Sequence, residues 1–360
     1  MEAKTCLVIT SIAEPTPGLR ALAQAATGFG LEFILIGDEP SPERFELEGC
    51  EFYGLDRQRR LPFELARISP TRHYARKNIG YLLAMARGAP VVVETDDDTV
   101  AYDGFWEPRQ RSRPAAQLAG RGFVNVYRFF SDANIWPRGL PLDHVREPVP
   151  AFESLPFDEL DCPIQQGLVD EDPDVDAIYR LVLGRPFTFD SGPSVAVTTG
   201  TWCPFNSQNT AWWPEAFPLM YLPASCSSRM TDIWRSFVAQ RIAWVNDWSV
   251  LFHEPTVSQI RNPHDLMRDF ADELPGYLGN KAICDALELL VLRPGAEHVG
   301  DNMRVAYERL VEGQWLDTTE LVRLEAWLSD IENITSANAA GKQALVALGE
   351  APITQRPTSL

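Results

Sequence analysis

Histidine and lysine are scarce in this chain, with five of the one and four of the other in 360 residues. Fifty acids face 32 Lys and Arg, a formal net charge of −18 at pH 7, which repels phosphate backbones and anionic leaflets. Nucleic acid is therefore not an expected partner. Long apolar runs are missing too: "CLVIT" and "FILIG" fall far short of the roughly 20 residues that span a bilayer, and residues 1–10 lack the apolar stretch of a signal peptide. No integral membrane segment is expected, and the predicted location is cytoplasmic. The six cysteines (Cys6, Cys50, Cys162, Cys203, Cys226, Cys284) include no CxxC pair, so neither a disulfide framework nor a zinc site is predicted.

What is present suffices for a large core. The chain is 45% hydrophobic and 10% aromatic, enough for one large domain or two smaller ones. Its first hundred residues alternate: "TCLVITSI" reads as a buried strand, "PGLRALAQAATGFG" as a helix closed by Gly28 and Gly30, and "EFILIGD" as a strand again. "CEFYGL" gives a third short strand. In "SPTRHYARKNIGYLLAMARGAP" Ile79, Leu82, Leu83 and Met85 recur at helical spacing, and Gly88 closes the helix. The strand "PVVVE" then delivers Asp96, Asp97 and Asp98 just past its C-terminal end, where ligands bind in open α/β sheets. Residues 122–200, rich in Pro and acids, read as loops laid over a scaffold. From Thr231, taken as an N-cap, the pattern turns helical, and residues from about 266 read as amphipathic helices.

Four adjacent or near-adjacent carboxylates in "ETDDD" repel one another unless solvent or a cation lies between them. Hard oxygen ligands suit Mg²⁺ or Mn²⁺, which keep several waters and bind substrate phosphates. Arg72, Arg76 and Lys77 lie one helix upstream in a chain poor in lysine. They are either an ordinary basic face or counter-charges to phosphate or to the acids. "FNSQNTAWW" mixes amides, hydroxyls and flat aromatic faces, as sugar sites do. Asp232 caps or stabilises a helix start on the plain reading; His253 and His264, in "HEPTVSQIRNPHD", are packing residues on theirs.

Taken together, "YARKNIGYLLAMARGAPVVVETDDDT", "NIWPRGLPLD", "PIQQGLVDEDPDVDAIYRL", "PFNSQNTAWW", "RMTDIWRSFVAQR" and "PTVSQIRNPHDLMRDF" resemble the STELLO family of glycosyltransferases. More distantly they resemble the reversibly glycosylated polypeptides, the UDP-arabinopyranose mutases. The likeness runs in order over residues 5–277. It implies an α/β fold of the GT-A type, a Rossmann-like nucleotide-diphospho-sugar transferase domain over residues 1–265, with a helical C-terminal appendage over 266–360. By that resemblance Asp96, Asp97, Asp98 and His253 hold Mn²⁺ or Mg²⁺, and Thr10, Ser11, Asp38, Arg72, Arg76, Lys77 and Asp96 serve the donor nucleotide. Asn206, Ser207, Gln208, Asn209 and Trp136 serve the sugar or acceptor, and Asp232 activates the acceptor. The implied partners are a UDP- or GDP-linked sugar donor and an unidentified acceptor. A nucleotide-sugar mutase, a non-catalytic nucleotide-sugar-binding scaffold and, more weakly, a metal-dependent phosphate hydrolase are the alternatives. Plant members of the family carry a membrane anchor and further domains without counterpart in these residues, so a Golgi location is not expected to transfer.

Overall fold

The computed structural model of the chain describes residues 4–184, 186–262 and 265–340. Strands β1 (Cys6–Thr10), β2 (Glu32–Ile36), β3 (Glu51–Tyr53) and β4 (Val92–Thr95) form a parallel ladder in the order 3-2-1-4. Buried on both faces, they read as the near-continuous apolar runs expected of parallel strands. Helix α1 (Pro17–Gly28) begins at Thr16, whose hydroxyl accepts from Leu19 N at 3.1 Å, with Pro17 in the first turn. Its Leu19 and Leu22 pack with Leu7, Ile9 and Val93 on one face of the sheet. Two short helices follow, α2 (Leu55–Arg59) and α3 (Glu64–Ile68). On the other face, α4 (Lys77–Ala86) is buried along its whole length, because β1 and β2 lie beneath it and further helices lie above. Gly80 makes that approach possible: a Cβ there would stand 2.5 Å from Val8 Cγ1. Helices on opposite faces place a crevice between the C-terminal ends of β1 and β4, where the strand order reverses.

The sheet continues through segments that sequence reading assigned to loops. After β5 (Thr99–Ala101), β6 (Ser112–Leu118), the two-residue β7 (Gly122–Phe123) and β8 (Phe157–Asp161) comes β9 (Ile164–Glu171), buried along almost its full length. Helix α5 (Ala177–Leu183), β10 (Val195–Val197), β11 (Thr201–Trp202) and β12 (Asn209–Trp212) follow, then α6 (Thr231–Val245) and β13 (Val250–Gln259). The full order is 3-2-1-4-12-9-13-10-6-8, with β5 on β13 and β7 paired only with β11. Strand β12 runs antiparallel to both β4 and β9, and β9 is parallel to β13. The C-terminal ends of β2, β1, β4, β9 and β13 therefore share one edge. Residues 122–200 are not loops over a scaffold; they contribute a central strand, and its Gln165 and Gln166 are buried because their side chains bond backbone carbonyls.

Helices α7 (Leu266–Glu288), α8 (Val299–Glu312) and α9 (Thr319–Ala339) have no separate core. Met303, Leu324 and Trp327 share one apolar cluster with Ile79 and Leu82 of α4. Asp330 of α9 accepts from Glu64 N and Leu65 N, both at 2.9 Å, capping α3 from 266 residues away in sequence. No helix among the described residues is long and apolar enough to cross a membrane. His264 and residues 341–360 lie outside the described residues.

One buried ion pair aims the next element at the crevice. Glu94 of β4 is fully buried and bonds Arg235 of α6 at 2.9 Å, Trp212 Nε1 at 2.8 Å and the Tyr81 hydroxyl. Arg235 lies three residues after Asp232, on the same side of the helix. Fixing Arg235 to the central strand therefore presents Asp232 to the end of that strand.

Candidate functional site

A cleft of about 660 Å³ opens at the shared edge. Thr10, Ser11, Asp38, Arg72, Asp96, Asp97, Asp98, Ser207, Gln208 and Asp232, all predicted from sequence, line it. The three acids have separate partners. Asp97 accepts from the Ser11 hydroxyl; Asp98 accepts from Gln259 Nε2 at 2.7 Å and Asn262 N at 3.3 Å; Asp96 accepts from the Tyr74 hydroxyl at 3.0 Å, with Lys77 Nζ at 3.6 Å. Each is held by a different element, so the repulsion of the run is spread over β1, β13 and α4. Burial pushes the Asp96 carboxyl up to about 6, against the pull of Lys77 and with the help of the Asp98 charge. Burial also raises Asp97.

Among the described residues no group of three or more His, Cys, Asp or Glu converges into a metal cage. A Mg²⁺-type site needs less, one or two carboxylates with phosphates and water completing the shell, and Asp96 and Asp98 on the cleft wall fit that demand. His253 does not join them. It pairs with Gly167 of β9 where Gln259 pairs with Glu171, four residues or about 13 Å farther along at roughly 3.3 Å per residue, the extra residues of β13 being taken up by a bulge. Its Nδ1 is 2.9 Å from Glu254 O, and burial pushes its pKa down to about 4. Gly167 leaves the ring its space, since a Cβ there would stand 2.8 Å from His253 Cε1.

Other predicted residues support the cleft rather than face a ligand. Lys77 is fully buried and donates to the Tyr74 hydroxyl at 2.7 Å, Thr95 O at 2.8 Å and Ser207 O at 3.3 Å. It braces the acidic turn against the loop before β12. Arg76 touches the cleft floor, but its guanidinium is used by Gln58 Oε1, Ser69 O and Pro70 O. Arg76→Ala is accordingly expected to lower stability by about 1–3 kcal/mol per buried acceptor left unpaired, with donor affinity per folded molecule within twofold of wild type; denaturant melts and calorimetry on the same samples separate the two. Asn209 is spent on Leu168 O and Thr256 Oγ1, Asn206 on Gln208 N. Trp136 is buried outside the cleft, donating to Asp176 Oδ2 at 2.6 Å and lying edge-on to Tyr179.

Asp232 is not a helix cap. The residue before the helix is Met230, which makes no side-chain cap, and Thr231 donates its hydroxyl to Pro223 O. The Asp232 carboxylate accepts from Arg138 Nη1 and Nη2, each at 3.0 Å, and from Ser207 N and Oγ, each at 3.3 Å. Arg138 also grips Asp174 through two bonds of 2.8 Å. Burial pushes the Asp174 carboxyl up, but this guanidinium overrides it and holds the group well below the usual carboxylate range. Through Ser207 Oγ, 2.7 Å from the Tyr74 hydroxyl, the chain of contacts reaches Asp96. Tyr74, Arg138, Asp174, Gln259 and Arg261 escaped sequence reading. Arg138 and Asp174 are 36 residues apart, and no local pattern marks such a pair.

Residues 229–339 match the model of the family described as STELLO glycosyltransferases. Two curated relatives are from Arabidopsis thaliana: probable glycosyltransferase STELLO2, 32% identical over 276 residues, and probable glycosyltransferase STELLO1, 29% identical over 277 residues. These alignments take in 70% and 69% of this chain but 35% and 34% of the relatives, so the chain spans about a third of the length of the curated relatives it matches. Among solved structures, a mycobacterial protein is 12% identical with a TM-score of 0.39, covering 78% of this chain and 75% of that one, a likeness too slight to bear on the fold. The family match runs from the residues before α6 to the end of α9, across the boundary at 265/266 expected from sequence.

Proposed function

From the premise that this is a STELLO-like chain, we propose that it is a glycosyltransferase of the GT-A type, moving a sugar from a nucleoside diphosphate sugar to an acceptor hydroxyl. The observation that carries this reading is the placement of the acidic turn, with Ser11 and Asp38, at the strand-order reversal beside β1 and β4, the position where α/β sheets bind nucleotides. The parallel 3-2-1-4 half supports the GT-A assignment. Thr10, Ser11 and Asp38 would receive the nucleoside, and Asp96 and Asp98 would hold Mn²⁺ or Mg²⁺. A cation there would supply neutralisation of charge on the leaving diphosphate. As the acceptor oxygen bonds to the anomeric carbon and the bond to diphosphate breaks, the acceptor proton passes to an Asp232 oxygen. Ser207 and Arg138 keep that carboxylate in place.

Asp98→Asn is expected to weaken metal and donor binding together, by about tenfold or more, because the removed charge is shared by both. Calorimetry showing undiminished, metal-independent donor affinity in that variant would remove the cation from the account. One observation favours a second reading. The Asp232 oxygens are already engaged by four donors, as suits an anchor, and a nucleotide-sugar mutase needs no acceptor base. Turnover of donor alone, with sugar ring forms interconverting at the nucleotide, distinguishes it from transfer, which requires acceptor.

A further inference from the structure

Beyond the acidic turn, the far wall of the cleft is built of arginine. Arg229, Arg261 and Arg268 line it, at the end of β13 and the start of α6 and α7. From β2, where Asp38 sits, to β13 is five strand spacings, about 24 Å at ~4.8 Å per strand, and the acidic turn lies between. A nucleoside at the β1 and β2 end with its diphosphate at the turn leaves this wall for whatever lies past the diphosphate.

The arginines are unequally matched. Arg229 is spent on Glu273, with bonds of 2.8 and 2.6 Å. Arg261 follows β13 and donates Nη2 to Gln259 Oε1, a neutral acceptor, while its Nε is shielded from solvent and has no acceptor among the described residues. Behind it, both terminal nitrogens of Arg180 are shielded without a hydrogen-bond acceptor among the described residues, its ion pair with Asp269 standing at 3.6 Å. Burial, then the like charges of Arg261 and Arg229, push Arg180 down to about 9. Burial and the Arg229 charge lower Arg261 while Asp174, Asp98 and Asp96 act in the opposite sense, and Asp174 is already paired with Arg138. Shielded guanidinium nitrogens without acceptors are costly. A hydroxyl would satisfy a bond but leave the charge; an anion satisfies both.

Resting on the donor reading above, we infer that the ligand portion beyond the diphosphate, the transferred sugar or the acceptor, carries a carboxylate or phosphate that Arg261 binds, with Arg229 and Arg268 flanking. The site would thus select acidic over neutral saccharides.

The test compares matched neutral and anionic probes by calorimetry in the presence of Mn²⁺. UDP-glucose is set against UDP-glucuronate, with GDP-mannose and GDP-mannuronate as the guanosine series. Glucose is then set against glucose 6-phosphate, each titrated onto nucleoside diphosphate-saturated protein. The anionic member of at least one pair is expected to bind tenfold or more tightly. Arg261→Gln should remove that advantage while leaving UDP or GDP affinity and the melting temperature unchanged. An advantage in the first comparison assigns the anion to the donor sugar, in the second to the acceptor. Equal affinities in every pair overturn the inference and leave the donor reading standing. A tenfold loss of nucleoside diphosphate affinity in Arg261→Gln also overturns it, by making Arg261 a ligand of the diphosphate. Failure of every nucleotide to bind contradicts the donor reading and takes the inference with it.

Discussion

Asp232→Asn is expected to lower glycosyl transfer by about 10²- to 10⁴-fold, the contribution of a positioned base, with donor affinity within twofold of wild type. The base acts in the transition state and not in holding donor, so the loss belongs in kcat. Because the carboxylate also receives Arg138 and Ser207, the amide turns one acceptor into a donor facing donors, and a fall in stability of about 1–3 kcal/mol accompanies the kinetic effect. The two effects are separable. If Asp232 is only an anchor, donor affinity and stability fall together and turnover of bound donor is unchanged. If it is the base, kcat falls at unchanged donor affinity. Wild-type transfer rates in the Asn variant would assign the proton to another of the carboxylates that line the cleft.

The second large effect concerns stability. Arg138 is buried with Asp174 and Asp232, 5% exposed against 5% and 7% for the two side chains. Arg138→Met leaves both carboxylates buried without a counter-charge, and breaking such a pair typically costs about 3–5 kcal/mol. The pH dependence identifies the cause. In the wild type the Asp174 carboxyl is held below its unfolded range, so its contribution is present above the unfolded pKa and lost as pH falls through the folded one. In the variant, protonation relieves the buried Asp174 charge. The wild-type and variant stabilities should therefore converge as pH falls toward about 4 and lower. A deficit independent of pH would mean that lost packing, not charge, is responsible.

The parallel half of the sheet was legible because each of its segments is locally consistent. "CLVIT", "EFILI" and "VVET" are buried strands in runs of apolar residues, and α1 carries its Thr16 cap and Pro17 in sequence. The same local logic placed residues 96–98 at the cleft, whereas Asp232 was placed there only by the family resemblance. It failed where burial is satisfied by polar contacts. "IQQGLVDE" and "NTAW" are central strands, yet their glutamines, asparagine and threonine read as loop because the hydrogen bonds that permit their burial come from distant segments. Arg76 and Lys77 look alike in "ARKN", and both look like phosphate ligands. Only the fold shows that one is consumed by Gln58 and two carbonyls and the other by the turn it supports. His253 was assigned by analogy of position in the chain. The length of β13 carries Gln259 to the acids and leaves the histidine behind.

The central claim, that the cleft at the β1/β4 reversal binds a nucleoside diphosphate sugar, is tested most directly by the melting temperature of the intact chain with a panel of nucleoside diphosphate sugars and Mn²⁺. The account predicts that one donor class stabilises the protein, by about 2.7 kcal/mol at 100 times its dissociation constant, and that Asp98→Asn removes the shift. No shift with any donor, in the presence of Mn²⁺ or Mg²⁺, would contradict it.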